Sequence, residues 1–162
     1  MTPVLVFTVM GVPATKGSLK PVPRGKHTAL VESHATSKPW REAVKYAALE
    51  EIADREGTGD PFAMLSGPVQ VEVVFSFNRP KSAPKTRRTW PCTRSSGDVD
   101  KLLRNLFDAL ADAGVVLDDS QIVRVVADKT FVGEDPSSLA SPGAEVVVRT
   151  LPAAVMPEVS RG

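Results

Sequence analysis

The 162-residue sequence holds one cysteine, Cys92, and two histidines, His27 and His34. A single thiol excludes an internal disulfide, and so few soft ligands argue against zinc. The plain expectation is a reducing, cytoplasmic setting. No apolar run approaches the roughly 18 residues of a membrane span. The opening MTPVLVFTVMG lacks the basic segment of a secretory signal. There is no internal repeat and no glycine-rich phosphate loop of the P-loop or dinucleotide-binding kind. A net charge of +1 gives no overall field for nucleic acid.

What is present suffices for one domain. Hydrophobic residues make up 42% of the chain, an ordinary share for a globular protein with a core. Residues 2–10 read as a strand whose near-continuous apolarity suggests a central position. Residues 11–36, rich in Gly, Pro and Lys, read as a long loop. The run SKPWREAVKYAALEEIADREG reads as a helix, with Ser37 as its cap and Pro39 in its first turn. Trp40 and Tyr46 are read there as packing residues rather than base-stacking ones. Val69, Val71, Val73 and Phe75 alternate with polar residues in a second strand over 68–77. A second long loop reaches residue 97, a second helix follows, and strands are expected over 121–132 and 144–151. The fold class is α/β of an α+β-like kind: a small mixed sheet of about four strands in the order β-α-β-α-β-β, two main helices and two long basic loops. Residues 1–150 form the domain and 151–162 a loose tail.

Charge distribution says more than its sum. Lys16, Lys20, Arg24 and Lys26 precede the first acid, Glu32, and Arg79, Lys81, Lys85, Arg87, Arg88 and Arg94 follow one another with no acid between. Two basic loops around an acidic centre fit a DNA backbone held across a metal site. Trp90, inside the second loop, is the best candidate for stacking or wedging.

The acidic centre is GDVDKLLRNLFDALADAGVVLDDSQIV, from Gly97. Asp98 and Asp100 stand before a helical pattern in which Val99, Leu102, Leu103, Leu106, Phe107 and Leu110 repeat at three and four. Asp100, Arg104 and Asp108 mark its polar side, and Gly114 stops it. Asp118 and Asp119 follow in the next turn. If the chain turns back so that the two pairs meet, Asp98, Asp100, Asp118 and Asp119 make a hard oxygen site for Mg²⁺, with Mn²⁺ able to substitute. The bland alternatives are a helix cap at Asp98, a favourable charge at Asp100 and a solvated turn at Asp118 and Asp119.

This run resembles the RusA-like family of Holliday junction resolvases. The resemblance rests on the Asp98/Asp100 pair, a basic residue at 104, Asp108-Ala109-Leu110, and Asp118-Asp119-Ser120-Gln121-Ile122. It implies a Mg²⁺-dependent endodeoxyribonuclease that resolves four-way DNA junctions by paired, symmetric cuts, acting as a homodimer. Its essential carboxylates fall on Asp98, Asp100 and Asp119, its active-site lysine on Arg104, and a frequent strand lysine on Lys129. Lys101 replaces the family's usual asparagine, which adds a cation beside the DNA-binding set, and Gly97 stands where proline is common. Arg104 keeps a charge but cannot donate a proton as lysine does. Rival readings are a nuclease for flaps or other branched DNA, a non-catalytic junction-binding protein and a sugar-nucleotide transferase.

Overall fold

The computed structural model describes residues 4–17, 19–32 and 35–152. Strand β1 (Val4–Met10) leads to a hairpin of β2 (Leu19–Arg24) and β3 (His27–Glu32). Helix α1 (Ser37–Gly57), β4 (Val69–Phe77), α2 (Val99–Asp112), β5 (Ile122–Phe131) and β6 (Gly143–Thr150) follow. The sheet order is β1-β6-β4-β5, with β4 and β5 parallel and the other pairs antiparallel. This is the mixed α+β domain with two helices read from the sequence.

Strand alternation puts one apolar face against the helices. Leu5, Val148 and Val71 are aligned across three strands, as are Phe7, Val146 and Val73, and all six are buried. Trp40, Val44 and Ala48 of α1 and Leu102, Leu106, Ala109 and Leu110 of α2 complete that core. In α2 the buried positions recur at three and four, as an amphipathic helix requires. The opposite sheet face carries Val6, Glu72, Val126 and Val147 in register and is partly open.

Several expectations change. Strand β1 lies at an edge of the sheet, paired with β6 alone among the described strands, and its Val6 and Met10 are exposed on the open face. The first basic loop contains the β2–β3 hairpin, so one long basic loop remains, not two. Pro21 and Pro23 hide β2 in the sequence, since proline demotes a strand signal yet fits a strand with one free edge. Thr36, not Ser37, occupies the cap position of α1. Tyr46 is 63% exposed, unlike the buried Trp40. Most of the C-terminal tail, 153–162, lies outside the described residues. No helix among the described residues is long and apolar enough to cross a membrane.

Candidate active site at the start of helix α2

Two acids open α2. Asp98 holds the cap position in extended conformation, and its carbonyl accepts the first helical bond from Leu102 N. Its carboxylate, however, makes no capping bond. It lies 3.1 Å from Lys101 Nζ, and Asp100 lies 3.3 Å from Arg104 Nη2. Both pairs are largely solvent-exposed, so they add little stability. The carboxylates favour the positive end of the helix, yet their outer oxygens stay open to a further partner.

The chain reaches this point through Gly97, at φ +76°. A side chain there would collide with Thr15 Cγ2, and proline could not adopt that dihedral. Glycine thus lets the 12–17 segment close over the start of α2, where Lys16 N donates to Lys101 O at 3.1 Å. Lys129 of β5 arrives from the other side and donates to Gly97 O at 2.6 Å. Burial pushes this lysine below its ordinary range, while the charge of Asp98 acts in the opposite direction. Thr15, Arg94, Gly97, Asp98 and Lys101 line a cavity of about 290 Å³. This end therefore combines two open carboxylates, the four cations Arg94, Lys101, Arg104 and Lys129, and room for an anionic group.

The second acid pair lies elsewhere. Asp118 Oδ1 accepts from Ser120 N at 2.9 Å, and Gln121 Oε1 accepts from Leu117 N at 2.8 Å. The same Oε1 also accepts from Asp118 N at 3.3 Å, and this bond with the Asp118 cap completes a capping box on the single 3₁₀ turn Asp119–Gln121. The Ser120 bonds hold the Asp118 carboxyl below the usual carboxylate range. Asp118 therefore has a structural task that the sequence reading assigned to no cap. The carboxylate of Asp119 has no hydrogen bond or ion pair among the described residues.

The four acids do not meet within one chain. α2 spans 14 residues, or roughly 20 Å at about 1.5 Å per residue. β5 then runs back alongside, and the seven steps from Ile122 to Lys129 cover roughly 23 Å. The return therefore delivers Lys129, not Asp119, to Asp98. Among the described residues no group of three or more His, Cys, Asp or Glu is placed to hold a metal ion. The expected convergence of both pairs in a single chain is corrected on this ground.

The basic residues divide by their partners. Lys16 pairs with Asp108 at 2.5 Å, which ties the N-terminal segment to α2. Arg79 pairs with Glu134 and donates to Pro84 O. Arg88 lies 2.6 Å from Asp135 and stacks its guanidinium 4.7 Å from the Trp90 ring. Trp90 itself is 55% exposed. Arg24 and Lys26 sit exposed at the hairpin tip, and Lys81, Lys85, Arg87 and Arg94 are exposed along the second loop. None of these six has an ion pair among the described residues. The side chain of Lys20 lies outside the described residues.

Asn105 and Glu134 escaped the sequence reading, and Gln121 entered it only as part of the motif. Asn105, fully buried on α2, donates to both Ala14 O and Ser37 O at 3.0 Å and so joins three segments. Its signal was a polar residue set against the apolar stripe. Glu134 accepts from Arg79 and from Thr89 N at 3.0 Å, fastening the basic loop, and Arg79 holds its carboxyl below the usual range. Gln121 also donates to Leu65 O and Gly67 O, which gives the glutamine of the acidic motif a structural purpose. Nothing local in the sequence marks either of those long-range contacts.

No curated protein matches the chain closely. The family model described as endodeoxyribonuclease RusA matches residues 13–148, a span that holds the hairpin, both helices, both acid pairs and the basic loop. On that match over most of its length, the chain belongs to the RusA family of endodeoxyribonucleases.

Proposed function

We propose that the protein is a divalent-metal-dependent endodeoxyribonuclease that resolves four-way DNA junctions by paired cuts and works as a homodimer. The observation that carries this reading is Asp98. It stands at a helix cap without capping, among Lys101, Lys129 and Arg94, in a chain of a nuclease family.

Asp98 and Asp100 are the residues to hold Mg²⁺ or Mn²⁺ from one chain. A bound divalent ion would lower the pKa of an attacking water and neutralise charge on the phosphate. Two carboxylates make an incomplete oxygen set, and Asp119 lies at the far end of its own α2. A second copy can supply its Asp119, with Asp118 in support, because a two-fold arrangement offers every patch twice. Two such composite sites per dimer suit paired cuts on a two-fold junction.

The remaining groups follow from charge and position. Lys129, fixed by Gly97 O, directs an ammonium toward the phosphate that Asp98 faces, and Arg104 adds a second cation. Lys101 and Arg94 border the same cavity. Arg24, Lys26, Lys81, Lys85 and Arg87 take phosphates further along the arms, while Lys16, Arg79 and Arg88 shape the segments that carry them. Trp90, backed by Arg88, presents a stacking surface beside a helical arm.

Complementation tests the reading. Asp98→Asn and Asp119→Asn chains are each expected to bind junctions and fail to cut. Mixed and re-annealed, they should recover Mg²⁺-dependent single nicks, since one composite site per mixed dimer is intact. A mixture as silent as either parent would exclude the shared site. Comparison of four-way, flap, nicked and linear DNA decides the substrate, and faster cutting of flaps would overturn junction preference.

A further inference from the structure

The turn that leads into Asp98 borders two cavities. Arg94 and Gly97 line the one beside the acids, while Ser95 and Ser96 line a neighbour of about 390 Å³. That volume is within the range of roughly 300–1,000 Å³ of small-ligand pockets. Its apolar walls include Phe77 at the end of β4, Phe131 at the end of β5 and Pro91, all three largely buried, together with the exposed Val12 and Pro80. Its polar contribution includes Asn78 and Ser82, whose side chains make no hydrogen bond among the described residues.

Lys129 reaches one wall residue of each cavity. Its ammonium lies 6.0 Å from the centroid of the Phe77 ring while donating to Gly97 O. A phosphate facing Lys129 and Asp98 therefore has an apolar-walled recess within one nucleotide's reach. Apolar walls suit a planar ring, and a free amide with a free hydroxyl suits a ring edge that both donates and accepts. In a DNA strand the group with that chemistry is the base. A branch point weakens stacking, which lowers the energy needed to swing a base out.

We propose that this cavity receives one unstacked nucleobase next to the cleaved phosphate and thereby selects the nucleotides at which the protein cuts. The inference rests on the endodeoxyribonuclease reading above. The base packs against Pro80 and the parts of Phe77 and Phe131 that reach the cavity, and Asn78 and Ser82 read its edge.

The test uses the full chain carrying Asp98→Asn, bound to a four-way junction with 2-aminopurine at successive positions flanking the cut. Emission should rise at one position, the mark of an unstacked base, and stay quenched at its neighbours. Asn78→Ala and the cavity-filling Ser82→Phe, each added to that chain, should remove the rise. In otherwise native chains they should narrow the preference between favoured and disfavoured sites by about tenfold, the scale of one lost base contact. Circular dichroism checks folding, and Asn78→Ala keeps the test open if Ser82→Phe misfolds. Uniform quenching with junction bound, or an unchanged site preference in both variants, would overturn the base pocket while leaving the nuclease intact. A native chain that neither binds nor nicks DNA would overturn both readings together.

Discussion

At the N-terminal end of α2, two exposed aspartates stand among lysines and arginines; beyond its C-terminal end, two more stand with no cation partner among the described residues. The same residue type serves different purposes there. Asp118 is accounted for by the fold, because its oxygen caps a turn whose glutamine reaches back to Leu65 and Gly67. Asp98 is not, because a cap position that forgoes its capping bond gives the fold little. A residue whose position exceeds its structural use is where function is to be sought. The cations make the same point: Lys101, Arg104 and Lys129 all converge on the first end.

The largest expected effect breaks the symmetry between the ends. Asp98→Asn should reduce cleavage by about 10³-fold or more, the scale of lost metal-assisted chemistry, with thermal stability nearly unchanged. Asp118→Ala should do the reverse in proportion, costing about 0.5–2 kcal/mol of stability through the lost cap and lowering cleavage far less. Thermal melts and single-turnover cutting, measured side by side, check both. Equal loss of activity with no change in melting for Asp118→Ala would make the two ends equivalent.

Lys129 comes next. Lys129→Met should slow cutting by roughly 10²–10³-fold, as expected for removal of one charge-stabilising donor, and Lys129→Arg should recover part of it. The sign of its pH dependence is fixed by burial, which pushes this lysine below its ordinary range. The useful charge is present below the shifted value and is lost as pH rises through it, so the alkaline fall in rate begins before an ordinary lysine would titrate. The same shift leaves the unfolded chain binding more protons there, so stability rises with pH across the window between the two values. Lys129→Arg should carry the alkaline limb upward; a limb that stayed in place would assign the fall to another group.

Much of the frame was legible in the sequence, and the failures have physical causes. Periodicity located α2 and β4 because each buries one face more deeply than the other. It missed β2, since Pro21 and Pro23 break the pattern that identifies a strand while leaving one edge to pair. It put β1 in the middle because apolar residues at Val6 and Met10 do not announce that they face solvent. The acids themselves were legible as a motif, but their convergence was not a property of the motif. A helix of 14 residues already separates its ends by roughly 20 Å, and a strand of that reach returns a different residue. Asn105, Gln121 and Glu134 act through contacts with segments far along the chain, which no local pattern encodes.

Gln121 sharpens the comparison at the quieter end. Gln121→Ala removes the donor to Leu65 O and Gly67 O and half of the capping box. The expected loss is about 0.5–1.5 kcal/mol, the net worth of an ordinary hydrogen bond at a site water can reach, read as a lower melting temperature. Cutting should fall moderately, because Asp119 begins the same turn and would lose its fixed direction. A variant with native melting and native cutting would show that the turn holds itself without the glutamine.

The smallest effect concerns the loop that carries the stacking residue. Arg79 and Thr89 hold the Glu134 carboxyl low, and Ser137 and then Arg88 do the same for Asp135. Both carboxyls are depressed in the folded chain, so their contribution is fully present above the unfolded carboxylate range and disappears as pH falls through the folded values. The basic loop should therefore loosen in acid before the core does. Trp90 reports it: acrylamide quenching of Trp90, separated from that of the buried Trp40 by difference against Trp90→Phe, should increase below the ordinary carboxylate range while far-ultraviolet dichroism stays native. Glu134→Gln should reach the loosened state at neutral pH and weaken junction binding by a few-fold, whereas Lys85→Ala should leave quenching alone and lower the salt slope of binding by about one. If Glu134→Gln changed only the salt slope, the acid would be tuning charge and not holding the loop, and the division between cations that shape the surface and cations that meet phosphate would have to be redrawn.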